Sequence, residues 1–74
     1  MNDYNINVTQ IEEYQDIKNI DELDKIFDRA KSAIVNGAKA ILMRKDAAGK
    51  AAKFDEMDTL DGLEVYRKQV FKYL

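Results

Sequence analysis

The sequence predicts an α+β fold, a small single domain with N-terminal helices, a two-stranded antiparallel hairpin and a C-terminal helix. Three observations predict it. Apolar residues recur at helical spacing before residue 36 and again after residue 59, and a glycine followed by a short apolar run separates the two stretches. The length of 74 residues limits the chain to one domain, residues 1–74, because so short a chain cannot build a second core.

The N-terminal segment combines a loose start with a short helix. Residues 1–8 are rich in asparagine, and we expect them to be flexible, as unanchored termini usually are. Thr9 with Glu12 three residues later fits a capping box, which predicts a helix over residues 10–18. Three residues at spacing three form its apolar face: Ile11, Tyr14 and Ile17.

A longer helix follows and is the clearest element in the sequence. Asn19 or Asp21 can cap it, and acidic residues in its first turn suit the positive end of the helix dipole. Its apolar stripe consists of Leu23, Ile26, Phe27, Ala30, Ala33 and Ile34. Asn36-Gly37 predicts the end of the helix, because glycine reaches the left-handed conformation without steric cost.

The segment over residues 38–58 has two interpretations. A hairpin would use the apolar run 38–44 as one strand, residues 45–50 as the turn and residues 51–56 as the second strand. Helix propensity alone favours a continuous helix, because alanine, lysine, leucine and methionine are all good helix formers. The residues of this segment by themselves leave both possibilities open.

The last helix is predicted to begin after Asp58 or Thr59, either of which can cap it. Basic residues in its C-terminal half, Arg67, Lys68 and Lys72, suit the negative end of the dipole. The residues that share its apolar face are Leu63, Tyr66, Val70, Tyr73 and Leu74.

The residue types present argue against an enzyme. The chain has no histidine, no cysteine and one serine, Ser32, so the usual activated nucleophiles are missing. A chain this short can hardly enclose a cleft for a small-molecule substrate. The acidic cluster over residues 55–61 does not have the alternating spacing of a calcium loop, and we expect no metal and no cofactor. No apolar run is long enough to span a bilayer, so we expect no membrane contact.

Charge is distributed unevenly along the chain. Residues 1–28 hold eight acids and two bases, residues 29–53 hold seven bases and one acid, and residues 54–74 hold five acids and three bases. The three blocks therefore carry −6, +6 and −2. Either they pair with one another in the fold, or the bases of the middle block form a positive patch able to contact DNA without sequence preference. The bases concerned are Lys39, Arg44, Lys45, Lys50 and Lys53.

The predicted hairpin carries apolar residues on both of its faces. Successive residues of a strand point to opposite faces. If Ala40, Leu42, Ala52 and Phe54 pack on the helices, then Ile41 and Met43 must face away. We predict that Ile41 and Met43 form a partner-binding surface. The alternative is that the helix over residues 10–18 folds across them.

A stretch from about Asp21 to Val70, two-thirds of the chain, resembles the gpW-like family of phage head-to-tail joining proteins. The resemblance rests on Gly37, on Lys45-Asp46 at the matching distance, on Phe54, and on residues 59–70, where a threonine cap, a leucine and a tyrosine fall where the family has them. The turn around residues 47–49 is slightly longer than in the family, and an extra capped segment precedes the first family helix. The resemblance favours the hairpin.

The resemblance implies a function in virion assembly. Proteins of this family are adaptors that form a ring between portal and tail proteins, so the resemblance implies those partners, copies of the chain itself and a non-specific contact with packaged double-stranded DNA. The expected location is the virion or the host cytoplasm. The alternative function is a small regulatory or inhibitor protein of phage or plasmid origin that binds DNA or a host protein. That alternative is strongest if residues 38–58 are helical and present the bases to DNA.

Overall fold

The computed structural model describes residues 3–72 and Leu74, and in them three helices pack on one face of a three-stranded sheet. The elements in chain order are β1 (Tyr4–Asn7), α1 (Val8–Asp16), α2 (Ile20–Val35), β2 (Ala40–Lys45), β3 (Ala51–Met57) and α3 (Leu60–Phe71). The predicted α+β class is confirmed, and the sheet has one more strand than the sequence predicted.

Residues 38–58 form the predicted hairpin rather than a helix. Strands β2 and β3 pair antiparallel, from Ala40 opposite Met57 to Lys45 opposite Ala51. The Asp46 carboxylate accepts hydrogen bonds from the backbone N–H groups of Ala48 and Lys50, both at 2.9 Å, and so closes the turn. Non-local pairing and the turn chemistry outweigh the helix propensity of this segment.

The expectation of a flexible N-terminus is wrong from Tyr4 onward. Residues 4–7 form β1, which pairs parallel to β2 with Ile6 opposite Leu42. The Asp3 carboxylate accepts a hydrogen bond from the Lys39 N–H at 3.0 Å, and the Tyr4 N–H donates to the Lys39 carbonyl at 2.8 Å. Ile6 is almost fully buried, so the burial of its side chain offsets the cost of ordering the strand. Met1 and Asn2, part of the same prediction, lie outside the described residues.

The three helices have capping residues of the expected kinds, one of them at a different position. Asn19 caps α2 and Thr59 caps α3, each accepting a hydrogen bond from the backbone three residues later. Helix α1 begins at Val8, with Asn7 as its cap, so Thr9 is not the cap that the sequence suggested. The Asn7 side-chain amide oxygen accepts a hydrogen bond from the Thr9 N–H at 3.0 Å. Asn7 is thus both the last residue of β1 and the cap of α1.

The core lies between the sheet and the helices. Its buried residues are Ile6, Val8, Ile11, Leu23, Ile26, Phe27, Ala30, Ile34, Ala40, Leu42, Met57, Leu63 and Val70. Phe27 of α2 meets Tyr66 and Phe71 of α3 with ring centroids 5.8 and 5.9 Å apart. The predicted apolar faces of α2 and α3 are thus both used, while Tyr73, assigned to the α3 face, lies outside the described residues.

Phe54 does not pack on the helices as predicted. A β-bulge interrupts the register, since Leu42 faces Asp55 while the next residue, Met43, faces Lys53. Phe54 is the extra residue, and 56% of its surface is exposed. Ala52, opposite Arg44, lies on the helical side as predicted but is exposed there rather than packed on the helices.

Every helix in residues 3–72 is too short or too polar to cross a membrane.

Candidate functional site

The face of the sheet opposite the helices, which we call the outer face, is the candidate site. Ile6, Ala40 and Leu42 point into the core, so the residues that alternate with them point to the outer face. Those residues are Asn5, Asn7, Ile41, Met43 and Lys45, joined by Lys53 and Glu56 from β3. Ile41 and Met43 are half-buried at its centre, beneath charged neighbours.

Helix α1 does not cover Ile41 and Met43, so the alternative of a folded-over helix is wrong. Ile11 packs in the core cluster with Ile6 and Leu42, which places α1 on the same side of the sheet as the other helices. Ile17, expected on the same apolar stripe, is 68% exposed. The outer face therefore has no helix of the described chain packed on it.

Two of the predicted bases share one carboxylate, that of Glu56, on the outer face. Its carboxylate lies 2.9 Å from the Lys53 ammonium and 3.7 Å from the Lys39 ammonium. The hydrogen bond from Lys53, followed by the charge of Lys39, holds the pKa of Glu56 below its ordinary value of 4.5. All three side chains are partly exposed, so these ion pairs contribute little stability. The strand register places Glu56 opposite Ile41 and Lys53 opposite Met43.

The remaining predicted bases separate into two groups. Arg44 points to the helical side, where its guanidinium pairs with the Glu12 carboxylate of α1, so it does not belong to the outer face. Lys45 and Lys50 have no carboxylate within 4 Å among the described residues. The structure therefore divides the predicted basic patch: three bases pair within the chain, and Lys45 and Lys50 supply charge at the turn end of the hairpin. Contact of these two lysines with DNA stays a prediction.

A small cavity lies at the same end of the outer face. Its volume is about 110 Å³, and it is lined by Asn5, Asn7, Met43, Lys45 and Ala51 together with atoms of Ile6 and Arg44, the residues that alternate with them in β1 and β2. The asparagines belong to β1, which the sequence did not predict, so their part in this surface was missed. The surface of the cavity is mostly apolar although asparagine and lysine are among its lining residues, which suits one apolar side chain of a partner.

Two other features of the described chain have structural explanations. Tyr66 is half-buried between α1 and α3, and burial raises the pKa of its hydroxyl above the ordinary value of 10.0. The Gln15 side-chain amide donates to the Val70 carbonyl at 3.0 Å and joins the same two helices. The acidic residues of the 55–61 cluster lie in β3, in the connection after it and at the start of α3, and residues 3–72 with Leu74 contain no group of three or more potential metal ligands.

Comparisons of the chain with protein-family models, with curated proteins and with solved structures found no match.

Proposed function

We propose that the chain is a non-enzymatic structural adaptor at the head-to-tail junction of a tailed phage, one copy of a ring between portal and tail proteins. The single observation that carries the proposal is the outer face: Ile41 and Met43 lie at the centre of a sheet surface on which no described helix packs. A three-stranded sheet with one such open face is suited to binding a macromolecule.

The arrangement of elements within residues 21–70 adds support. Helix α2, the β2–β3 hairpin and helix α3 follow in the order that the gpW-like resemblance implies, with Lys45-Asp46 at the turn and Thr59 as the cap of α3. The alternative function, a DNA-reading regulator, depended most on a helical segment over residues 38–58. That segment is a hairpin, so no specific observation now favours the alternative.

The experiment combines Ile41→Asp with Met43→Asp in a tagged chain and uses it as bait in cells infected by the phage that encodes it. We expect the wild-type chain to co-purify with the portal and tail proteins and to be present in purified virions. The double variant should keep the circular dichroism spectrum of the wild type and lose both properties, because two carboxylates would be buried at the interface without partners.

A matched control is Leu60→Asp with Val65→Asp, which makes the same chemical change at exposed apolar positions of α3. This control should retain binding and virion incorporation. Absence of the wild-type chain from purified virions would sink the proposal. Unfolding of the Ile41→Asp, Met43→Asp variant would instead assign these two side chains to the core.

A further inference from the structure

The turn between α1 and α2 exposes two isoleucines. Ile17 is 68% exposed and Ile20 is 48% exposed, and both are flanked by acids, Asp16 and Asp21. We call residues 16–21 the α1–α2 corner. Neither Asp16 nor Asp21 has an ion pair among the described residues, nor does nearby Glu13 on α1. Residues 16–21 together with Glu13 hold three acids and one base, Lys18, so this surface carries a net charge of −2.

Local hydrogen bonds account for the backbone conformation of this corner but not for its residue composition. The Asn19 N–H donates to the Tyr14 carbonyl at 2.9 Å and the Lys18 N–H donates to the Gln15 carbonyl at 3.1 Å, the paired bonds that close a helix C-terminus. Asp16 is the last residue of α1, where a negative charge opposes the helix dipole, and no base lies in that turn. Exposed isoleucine and an unfavourably placed aspartate both indicate a contact outside the chain.

The outer face has the complementary properties. Lys39, Lys45, Lys50 and Lys53 oppose three acids, Asp3 beside Lys39, Glu56 on the face and Asp46 in the turn, which gives a net charge of +1. The positive charge is strongest at the turn end, where Lys45 and Lys50 form no ion pair among the described residues. Its cavity of about 110 Å³ beside Met43 has the volume of roughly one isoleucine side chain.

We propose that the outer face binds the α1–α2 corner of a second copy of this chain, with Ile17 entering the cavity and the two acids facing Lys45 and Lys50. This inference rests on the proposed function and names the contact between neighbouring copies. Helix α1 packs on the helical side of the sheet, so the corner cannot reach the outer face of its own chain. Two different surfaces in contact make a head-to-tail interface, which closes into a ring when the rotation between copies permits.

Charge reversal tests the interface. The first variant combines Lys45→Glu with Lys50→Glu, and the second combines Asp16→Lys with Asp21→Lys. Each alone places like charges across the contact, so each should stay monomeric in sedimentation velocity under conditions where the wild type associates. An equimolar mixture of the two should associate again, because each contact between unlike variants joins opposite charges, and alternating copies can therefore assemble. The dipole effects of the two lysines in the second variant oppose each other, so its fold should be retained.

Two controls test whether the loss of association is specific to these positions, rather than a result of any charge reversal or any loss of exposed apolar surface. Arg29→Glu with Lys31→Glu reverses two exposed bases of α2 and should leave association unchanged. Ile17→Ser should weaken association by on the order of tenfold or more, whereas Val65→Ser, at a position 57% exposed on α3, should not.

Three results would overturn the inference: a wild-type chain that stays monomeric at about 1 mM and low salt, a mixture that fails to restore association, or a first variant that loses duplex-DNA binding while it still self-associates. These results are distinct from failure of the proposed function. A chain that is monomeric in solution yet captures portal and tail proteins contradicts only the copy-to-copy contact, while absence from virions contradicts the adaptor function itself.

Discussion

The turns that end α1 and α2 have the same hydrogen bonds but different residues at their left-handed position. After α2, Gly37 takes that position with φ of +89°, and the Ala38 N–H donates to the Ala33 carbonyl. After α1, Lys18 takes it with φ of +54°. A Cβ atom makes the left-handed conformation unfavourable. The backbone at Lys18 is therefore strained in the turn after α1, whereas the backbone at Gly37 after α2 is not.

Lys18→Gly should therefore raise the free energy of unfolding by about 0.5 kcal/mol, since relief of the left-handed conformation exceeds the added flexibility of the unfolded chain. Urea unfolding at neutral pH measures it. Lys18→Ala is the control, because it removes the same charge and keeps the penalty. Equal stability of the glycine and alanine variants would mean that the backbone at residue 18 is not strained.

Glu56 gives a pH dependence whose sign follows from its lowered pKa. The folded state holds the proton on Glu56 less tightly than the unfolded state, whose pKa is near 4.5. The contribution of Glu56 is thus fully present above pH 4.5 and is lost as the pH falls through the lowered folded-state pKa. In urea titrations down to about pH 3, Glu56→Gln should be less stable than the wild type at neutral pH and should converge with it in acid.

A matched variant for this titration is Glu13→Gln, which removes a carboxylate that forms no ion pair in the described chain. It should follow the wild-type stability curve across the acid range. A constant gap between Glu56→Gln and the wild type at every pH would contradict the linkage, because the difference would then come from packing rather than from protonation.

At the scale of elements, the helices and the hairpin were predictable because their signals are local. The α2 stripe, the Asn19 and Thr59 caps and the Lys45-Asp46 turn each lie within a few residues of the structure that they specify. Strand β1 has no such signal. It has four residues with one fully buried side chain, asparagine is uncommon in strands, and its partner β2 lies far along the chain.

The bulge at Phe54 was unpredictable for a related reason. Simple alternation from Ala52 assigns Phe54 to the core, and only the pairing with β2 reveals that Phe54 is the extra residue. The outer face was predicted only in part, because part of it also depends on pairing between strands. Ile41 and Met43 follow from alternation within β2, whereas Asn5 and Asn7 reach that face through a strand that the sequence pattern did not indicate.

Truncation of Ile6 should therefore destabilise the fold more than truncation of Phe54, whereas the sequence pattern suggests the reverse. Ile6→Ala should cost about 2–5 kcal/mol, because Ile6 is 2% exposed and leaves a cavity, whereas Phe54→Ala should cost less than about 1 kcal/mol. Equilibrium urea unfolding of the two variants provides the comparison. Comparable losses at the two positions would show that β1 contributes little to the folded state.

At the scale of the whole molecule, the three charge blocks of the sequence are joined to one another. Glu12 of the first block pairs with Arg44 of the middle block, Lys39 of the middle block pairs with Glu56 of the last, and Asp24 of the first lies 3.5 Å from Arg67 of the last. The alternating block charges thus correspond to pairs between distant segments. Four bases of the middle block form no ion pair among the described residues: Arg29 and Lys31 on α2, and Lys45 and Lys50 on the hairpin.

Added salt should affect the stability of the fold and the association of copies to different extents. The pairs between blocks are all about half exposed, so each contributes little, and the free energy of unfolding should change by less than about 1 kcal/mol between low and high salt. Association between copies should weaken on the order of tenfold over the same range, because screening removes the attraction of Lys45 and Lys50 for the α1–α2 corner. Parallel urea unfolding and sedimentation of one preparation measure both. If salt lowered stability and association together, the unpaired lysines would be acting on the fold rather than on a neighbouring copy.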